Sequence, residues 1–247
     1  MNDLLDKLRE ISNLYGVIGI KQSFEDEGAL LEDVISVRRI TELCNLLSFV
    51  KVGGCEANTD IYNCLKIGIN GIIAPMVETP FAVSKFMDCY DKKAQYFVVI
   101  ESKTAYENID DILSIAHNKL TGIIVGRSDL SKSYNLNKSE ADSDFILSIT
   151  ENIFVKAKKY NLLTTLGGNV SVKSSKFIEK MYHLNLLNRV ETRNVVIDLN
   201  NNNVNKIDSV IQEAINFEIL LLRNKLQNSS ALIEDYKRRI DLLSSRK

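Results

Sequence analysis

Short, almost wholly apolar runs recur along the chain, each followed by a longer stretch with apolar residues at helical spacing. The runs fall at residues 16–20, 48–52, 71–74, 96–100, 122–125 and 162–166. Runs of that length with no polar face read as strands buried on both sides, the mark of a parallel sheet. The stretches between them, at 3–14, 30–46, 57–67, 81–89, 105–117, roughly 139–160 and 171–184, read as helices, and Gly68 closes the third of these. Residues 189–199 read as one long strand or two short ones. Repeated βα units imply right-handed crossovers around a parallel sheet. Seven or eight such units in 247 residues favour closure. The expected fold is therefore an α/β, (β/α)8 TIM-type barrel over residues 1–203 with one irregular strand.

A polar break at residues 200–203 precedes two expected amphipathic helices, at 204–226 and 229–243. They are expected to pack on the barrel or on a partner subunit. Ile207, Val210, Ile211, Ala214, Ile215 and Ile219 form one stripe on the first, with residues 220–222 adding apolar area. That stripe predicts a homo-oligomer.

Composition narrows the function classes. A net charge of −1 gives no bulk reason to expect nucleic acid or a membrane as partner. No apolar run approaches spanning length, and the N-terminus lacks the layout of a signal peptide. Cys44, Cys55, Cys64 and Cys89 show no CxxC spacing and read as reduced thiols of a cytoplasmic protein.

Candidate chemistry sits where strands end, as in barrel enzymes. Glu101 ends one apolar run, and Asp129 follows another in Gly-Arg-Ser-Asp-Leu-Ser. Carboxylates on adjacent strand ends can converge on one cation, and oxygen-only ligation suits Mg2+ or Mn2+. The plainer reading makes both acids helix caps. Zinc is disfavoured, because His117 and His183 both fall on predicted helices. Lys51, late in a buried strand, needs a polar partner. It reads as an anchor for a substrate carboxylate, a Schiff-base nucleophile, or half of an ion pair with Glu56 or Glu101. Gly53 and Gly54 after it permit close backbone approach to a small ligand. Gly168, in Leu-Gly-Gly-Asn-Val-Ser, opens a helix where free N–H groups suit an anion. Glu191 and Arg193 line the barrel mouth or pair with each other. Arg127 and Ser128 flank Asp129, and Arg127 reads either as a charge for an anionic substrate or as a solvated loop residue.

Together these segments resemble the hydroxy-ketoacid aldolase and citrate lyase β-subunit family (HpcH/HpaI type) over about residues 16–200. The most specific parts are Val-Ile-Glu-Ser-Lys-Thr-Ala-Tyr-Glu-Asn (99–108) and Gly-Ile-Ile-Val-Gly-Arg-Ser-Asp-Leu-Ser (122–131). Lys-Val-Gly-Gly at 51–54 and Gly-Ile-Ile-Ala-Pro-Met-Val-Glu-Thr at 71–79 add support. The resemblance implies Glu101 and Asp129 as ligands of Mg2+ or Mn2+. It also implies reversible aldol chemistry on a 2-keto acid and an aldehyde through a pyruvate enolate. Lys51, Arg127 and Arg193 are then the substrate-anion binders, with Gly53, Gly54, Ser128 and Gly168 beside the substrate, and Glu27 relays protons. The chain departs from the pattern at three places, the first being Gly126-Arg127 where the family has Gly-Pro before the Asp motif. Lys51 stands where the aldolases place an arginine, and Gly28 stands where they place a histidine. Two other readings stay open: a metal-free Schiff-base aldolase using Lys51, and a catalytically silent barrel used for binding or assembly.

Overall fold

The computed structural model describes residues 2–116 and 119–244. The chain enters through α1 (Asn2–Tyr15) and then runs β1 (Val17–Ser23), α2 (Leu31–Leu43), β2 (Leu47–Lys51), α3 (Asn58–Lys66), β3 (Gly71–Ala74), α4 (Pro80–Met87) and β4 (Gln95–Ile100). It continues with α5 (Lys103–Glu107), α6 (Ile109–Ala116), β5 (Gly122–Gly126), α7 (Arg127–Ser133), α8 (Asp144–Lys158), β6 (Leu163–Gly167) and α9 (Ser175–His183). Last come β7 (Arg189–Glu191), β8 (Val195–Asp198), α10 (Asn201–Val204) and α11 (Ile207–Ser244). Short 3-10 turns, Lys138–Asp142 and Val172–Ser174, lead into α8 and α9. The helix expected over 105–117 is two pieces, and His117 lies outside the described residues.

The eight strands close into one barrel in sequence order. Strands β1 to β7 are parallel, so their C-terminal ends share one mouth. The irregular strand is the last. β8 pairs antiparallel with both β7 and β1, so 189–198 is a hairpin and not two βα units. Local chemistry fixes many helix starts. Thr79, Ser102 and Ser143 each accept a first-turn N–H, and Pro80 follows Thr79 where a missing N–H costs nothing.

Two apolar layers hold the fold. The larger lies between barrel and helices. The smaller fills the barrel itself with Phe49, Ile73, Phe97, Val99, Ile124 and Val196, and the rings of Phe49 and Phe97 meet edge-on at 6.1 Å.

Because β8 runs back toward the closed end, the chain leaves the barrel there. Helix α11 must climb the outside toward the mouth. It is one 38-residue helix and not two, with no glycine or proline to break it. Ile207, Val210, Ile211 and Ala214 are buried against this chain's own barrel, so they are not the free surface that the sequence stripe predicts. Higher up, Glu218 reaches the β7–β8 turn. Its Oε1 accepts from Thr192 Oγ1 at 2.5 Å, from the Asn194 N–H at 2.5 Å and from the Val195 N–H at 3.2 Å. Glu218→Ala, which orphans buried donors at the seam of the barrel, should cost about 3 kcal/mol in chemical denaturation, and Glu218→Gln, which keeps an acceptor, much less. Equal losses in the two variants would show that the acceptor is not what matters.

Candidate functional site

The mouth encloses a cavity of about 320 Å3 lined largely by charged and polar residues. Glu101 leaves the end of β4 as a buried carboxylate. Its Oε1 accepts the Met76 N–H at 2.8 Å. Met76 holds φ 53°, a left-handed conformation uncommon for a residue with a side chain, and that turn follows β3 directly. The other oxygen, Oε2, lies over Gly126, where an added Cβ would approach it to 2.8 Å. Burial pushes the Glu101 carboxyl up from the usual range, and Asp129 adds to this. The Met76 N–H, Lys51 and Lys21 pull the other way without cancelling it.

Asp129 sits in the first turn of α7, half-exposed, 2.8 Å from Lys132 Nζ, and it lines the same cavity. Glu101 and Asp129 are thus brought together at one mouth. Among the described residues, no third acid, histidine or cysteine joins them in a cluster able to hold a metal. Two carboxylates with open positions between them still fit a magnesium-like cation, which keeps much of its water and takes substrate oxygens.

Lys51 also faces the cavity and pairs with Asp26 at 3.2 Å, not with Glu56 or Glu101. Glu56 instead pairs with Lys85. Burial pushes Asp26 up, but Lys51, helped by Arg193 and Lys21, holds its carboxyl below the usual range. Glu27 accepts from Asn194 Nδ2 at 3.0 Å on each oxygen and from Arg193 Nε at 3.1 Å. Glu191 and Arg193 therefore do not pair with each other. Gly28 holds φ 60° with open space around it, so a histidine there would meet backbone strain and not a clash. Ser128, Gly168 and Arg193 line the cavity.

Three predicted residues lie elsewhere. Gly53 and Gly54 are outside the cavity lining, and the Gly53 N–H is committed to Asp60 at 3.0 Å. Arg127 is fully buried and turned away from the mouth. Its guanidinium pairs with Asp142 and donates to Ser174 Oγ at 3.1 Å and to the carbonyl oxygens of Gly167 at 3.2 Å and Ala141 at 3.3 Å. The side chain leaves through the wall between strand and helix layers, so Arg127 staples the segments that carry the site and does not meet a substrate. Burial pulls its pKa down, and Asp142 opposes that.

Sequence reasoning missed Lys21, whose Nζ lies 2.5 Å from Glu191 Oε1, both side chains nearly buried. Glu191 rests over Gly167 as Glu101 rests over Gly126. The available signal was the same as for Lys51, a charge near the end of an apolar strand. Lys138, Asn169, Thr192, Ile215 and Glu218 also line the mouth.

A closed α/β barrel thus brings acids and lysines together at its open strand ends, the place where barrel enzymes carry their functional groups. The family model described as HpcH/HpaI aldolase/citrate lyase matches residues 40–185, and the chain belongs to that family. Solved structures agree on the fold. An HpcH/HpaI aldolase from Desulfitobacterium hafniense DCB-2 is 12% identical with TM-score 0.66, covering 77% of this chain and 80% of that one. The citrate synthase SbnG is 17% identical with TM-score 0.63, covering 93% and 91%. An HpcH/HpaI aldolase/citrate lyase family protein from Burkholderia cenocepacia J2315 is 13% identical with TM-score 0.61, covering 78% and 92%. Comparison with curated protein sequences finds no match. Family and barrel fold together point to an enzyme.

Two measurements check the site's electrostatics. Arg127→Met should lower stability by about 3 kcal/mol by leaving Asp142 without its cation. A loss of activity at unchanged stability would restore Arg127 to the site. For Glu101, a carboxyl raised in the folded state favours folding below its unfolded pKa, and that contribution is lost as pH rises through the folded value. Glu101→Gln should therefore melt higher than the parent at neutral pH, with the gap closing as pH falls into the ordinary carboxyl range. A pH-independent gap would refute the burial argument.

Proposed function

We propose that the protein is a divalent-metal-dependent carbon–carbon lyase that forms or cleaves a hydroxy-2-keto acid through the enolate of pyruvate. The observation that carries this reading is the convergence of Glu101, Asp129 and Lys51 on one small polar cavity. Glu101 and Asp129 are the residues that would hold Mg2+ or Mn2+. When bound there, the cation supplies Lewis acidity toward the keto and carboxylate oxygens of the substrate.

The protein's own groups do the rest. Lys51, a point charge, exchanges Asp26 for the substrate carboxylate without the two-pronged grip an arginine would have. Arg193 adds a second positive charge at the rim, beside Glu27. Asn194 and Arg193 keep Glu27 as a hydrogen-bond acceptor facing the cavity. In bond formation it takes a proton from the pyruvate methyl and gives it to the alkoxide made when the enolate carbon adds to the aldehyde carbonyl. In cleavage it takes that hydroxyl proton and returns it to the enolate carbon. Ser128 and Gly168 form the lip across from these cations and orient the keto acid. Because one structural relative is a citrate synthase, the reading admits bond formation as well as cleavage. The pairing of Lys51 with Asp26 favours its role as an ammonium anchor over that of a Schiff-base nucleophile.

The test is exchange of the pyruvate methyl protons in deuterated buffer with Mn2+, followed by proton NMR, which needs no aldehyde. Glu101→Gln should slow exchange by about a hundredfold or more, the scale of losing a group central to charge stabilisation. Lys51→Ala should raise the pyruvate KM by about tenfold or more through the lost ion pair. Exchange that survives EDTA and Glu101→Gln, with borohydride trapping pyruvate on Lys51, would replace this reading by the metal-free one.

A further inference from the structure

Among the described residues, one side chain makes the last hydrogen bond and ion pair between α11 and the rest of the chain. That side chain is Lys225, which meets Asp33 at 3.4 Å and Gln22 Oε1 at 3.3 Å. The remaining helix, to Ser244, would extend about 28 Å at the standard rise. In proteins most helical stability comes from packing of an apolar face. This helix carries an ordered set of exposed apolar side chains: Ile219 (42% exposed), Leu222 (58%), Leu226 (68%), Ile233 (53%), Tyr236 (52%) and Ile240 (61%). With exposed Ser229 they step by three and four residues in strict alternation from 219 to 240. That is a heptad seam, with Ile219, Leu226, Ile233 and Ile240 at a and Leu222, Ser229 and Tyr236 at d.

We infer that this seam pairs in parallel with the same helix of a second copy of the chain, forming a two-stranded coiled coil. Among the described residues, the large apolar side chains that this segment exposes fall at a and d, a narrower stripe than the apolar face of a helix lying on a membrane. It runs for three heptads, the minimum for such an assembly. Isoleucine at three of four a positions, with Leu222 at the first d position, matches the side-chain choice of two parallel strands in that first heptad. The flanks decide orientation. In a fully overlapping antiparallel pair, Arg223 would face Lys237 of the second copy and Lys225 would face Arg239, a like-charge cost on both sides. In the parallel pair, Lys225 faces Ser230 of the second copy. The surface is distinct from the stripe lower on α11, which this chain buries against itself.

The full-length chain in sedimentation equilibrium at micromolar concentration tests this. Self-association is expected. Ile233→Asp/Ile240→Asp should weaken it by at least about a hundredfold, because charges replace two buried layers, and Ser229→Leu should tighten it by at least about tenfold. All of these positions are exposed, so circular dichroism of the barrel should not change. Ile240→Cys should form an intermolecular disulfide on mild oxidation where the parent, with its four cysteines, does not. A monomeric parent would overturn the inference, as would an oligomer indifferent to the Asp pair. So would the lack of an Ile240→Cys crosslink, which an antiparallel pair would give by placing residue 240 against 222. A parent that stays monomeric but binds anionic lipid vesicles would assign the helix to a membrane surface instead.

Discussion

Glu218 Oε1 gathers three donors from the turn between β7 and β8, and at that turn the barrel closes. A ring of parallel strands needs every main-chain donor and acceptor paired around its circumference. Here the last place is taken by a strand of four residues running the wrong way. A hairpin that short is held by few ladder bonds, so a buried carboxylate fixed from outside the barrel does much of the work. The same turn carries Asn194, whose Nδ2 holds Glu27, and Arg193, which pairs with it. Closure of the barrel and the placement of Glu27 are therefore one problem with one solution.

Around the mouth, oppositely charged groups follow the strand order. Lysines end up on β1 and β2, and carboxylates follow β4 and β7. Gly126 and Gly167 end the two strands that follow β4 and precede β7, and they leave the room that Glu101 and Glu191 occupy. The buried pair Lys21–Glu191 is nearly neutral as a unit. Burial lifts the Glu101 carboxyl, and a cation at the site would offset the resulting cost at neutral pH, as Lys51, Lys21 and the Met76 N–H do in part. Stability and chemistry pull against each other at this one side chain.

Much of this was legible in the chain. Strands buried on both faces write continuous apolar runs, which is why β2 to β6 stand out. Lys51 and Glu101 were visible because a charge at the end of such a run has few structural excuses. The hairpin was not legible, because its turn, Thr192 to Asn194, has no glycine or proline and its strands are too short for a pattern. Lys21 escaped because β1 runs to Ser23, a boundary set by pairing with Leu47–Lys51 on β2 and not by composition. Arg127 was misplaced because adjacency to Asp129 says nothing about which side of the wall a side chain leaves by. Glu218 lies on the edge of an apolar stripe, where a single acid looks like solvent-facing decoration.

Helix α11 is continuous from the closed end of the barrel to a point well beyond its mouth, and Ile215 and Glu218 are part of the cavity wall. Long helices curve gently, and sharp kinks need a local cause such as proline. A partner bound to the projecting end would therefore act on the same helix that holds, through Glu218, the turn carrying Asn194. The projecting end of α11 and part of the pocket wall belong to one continuous helix.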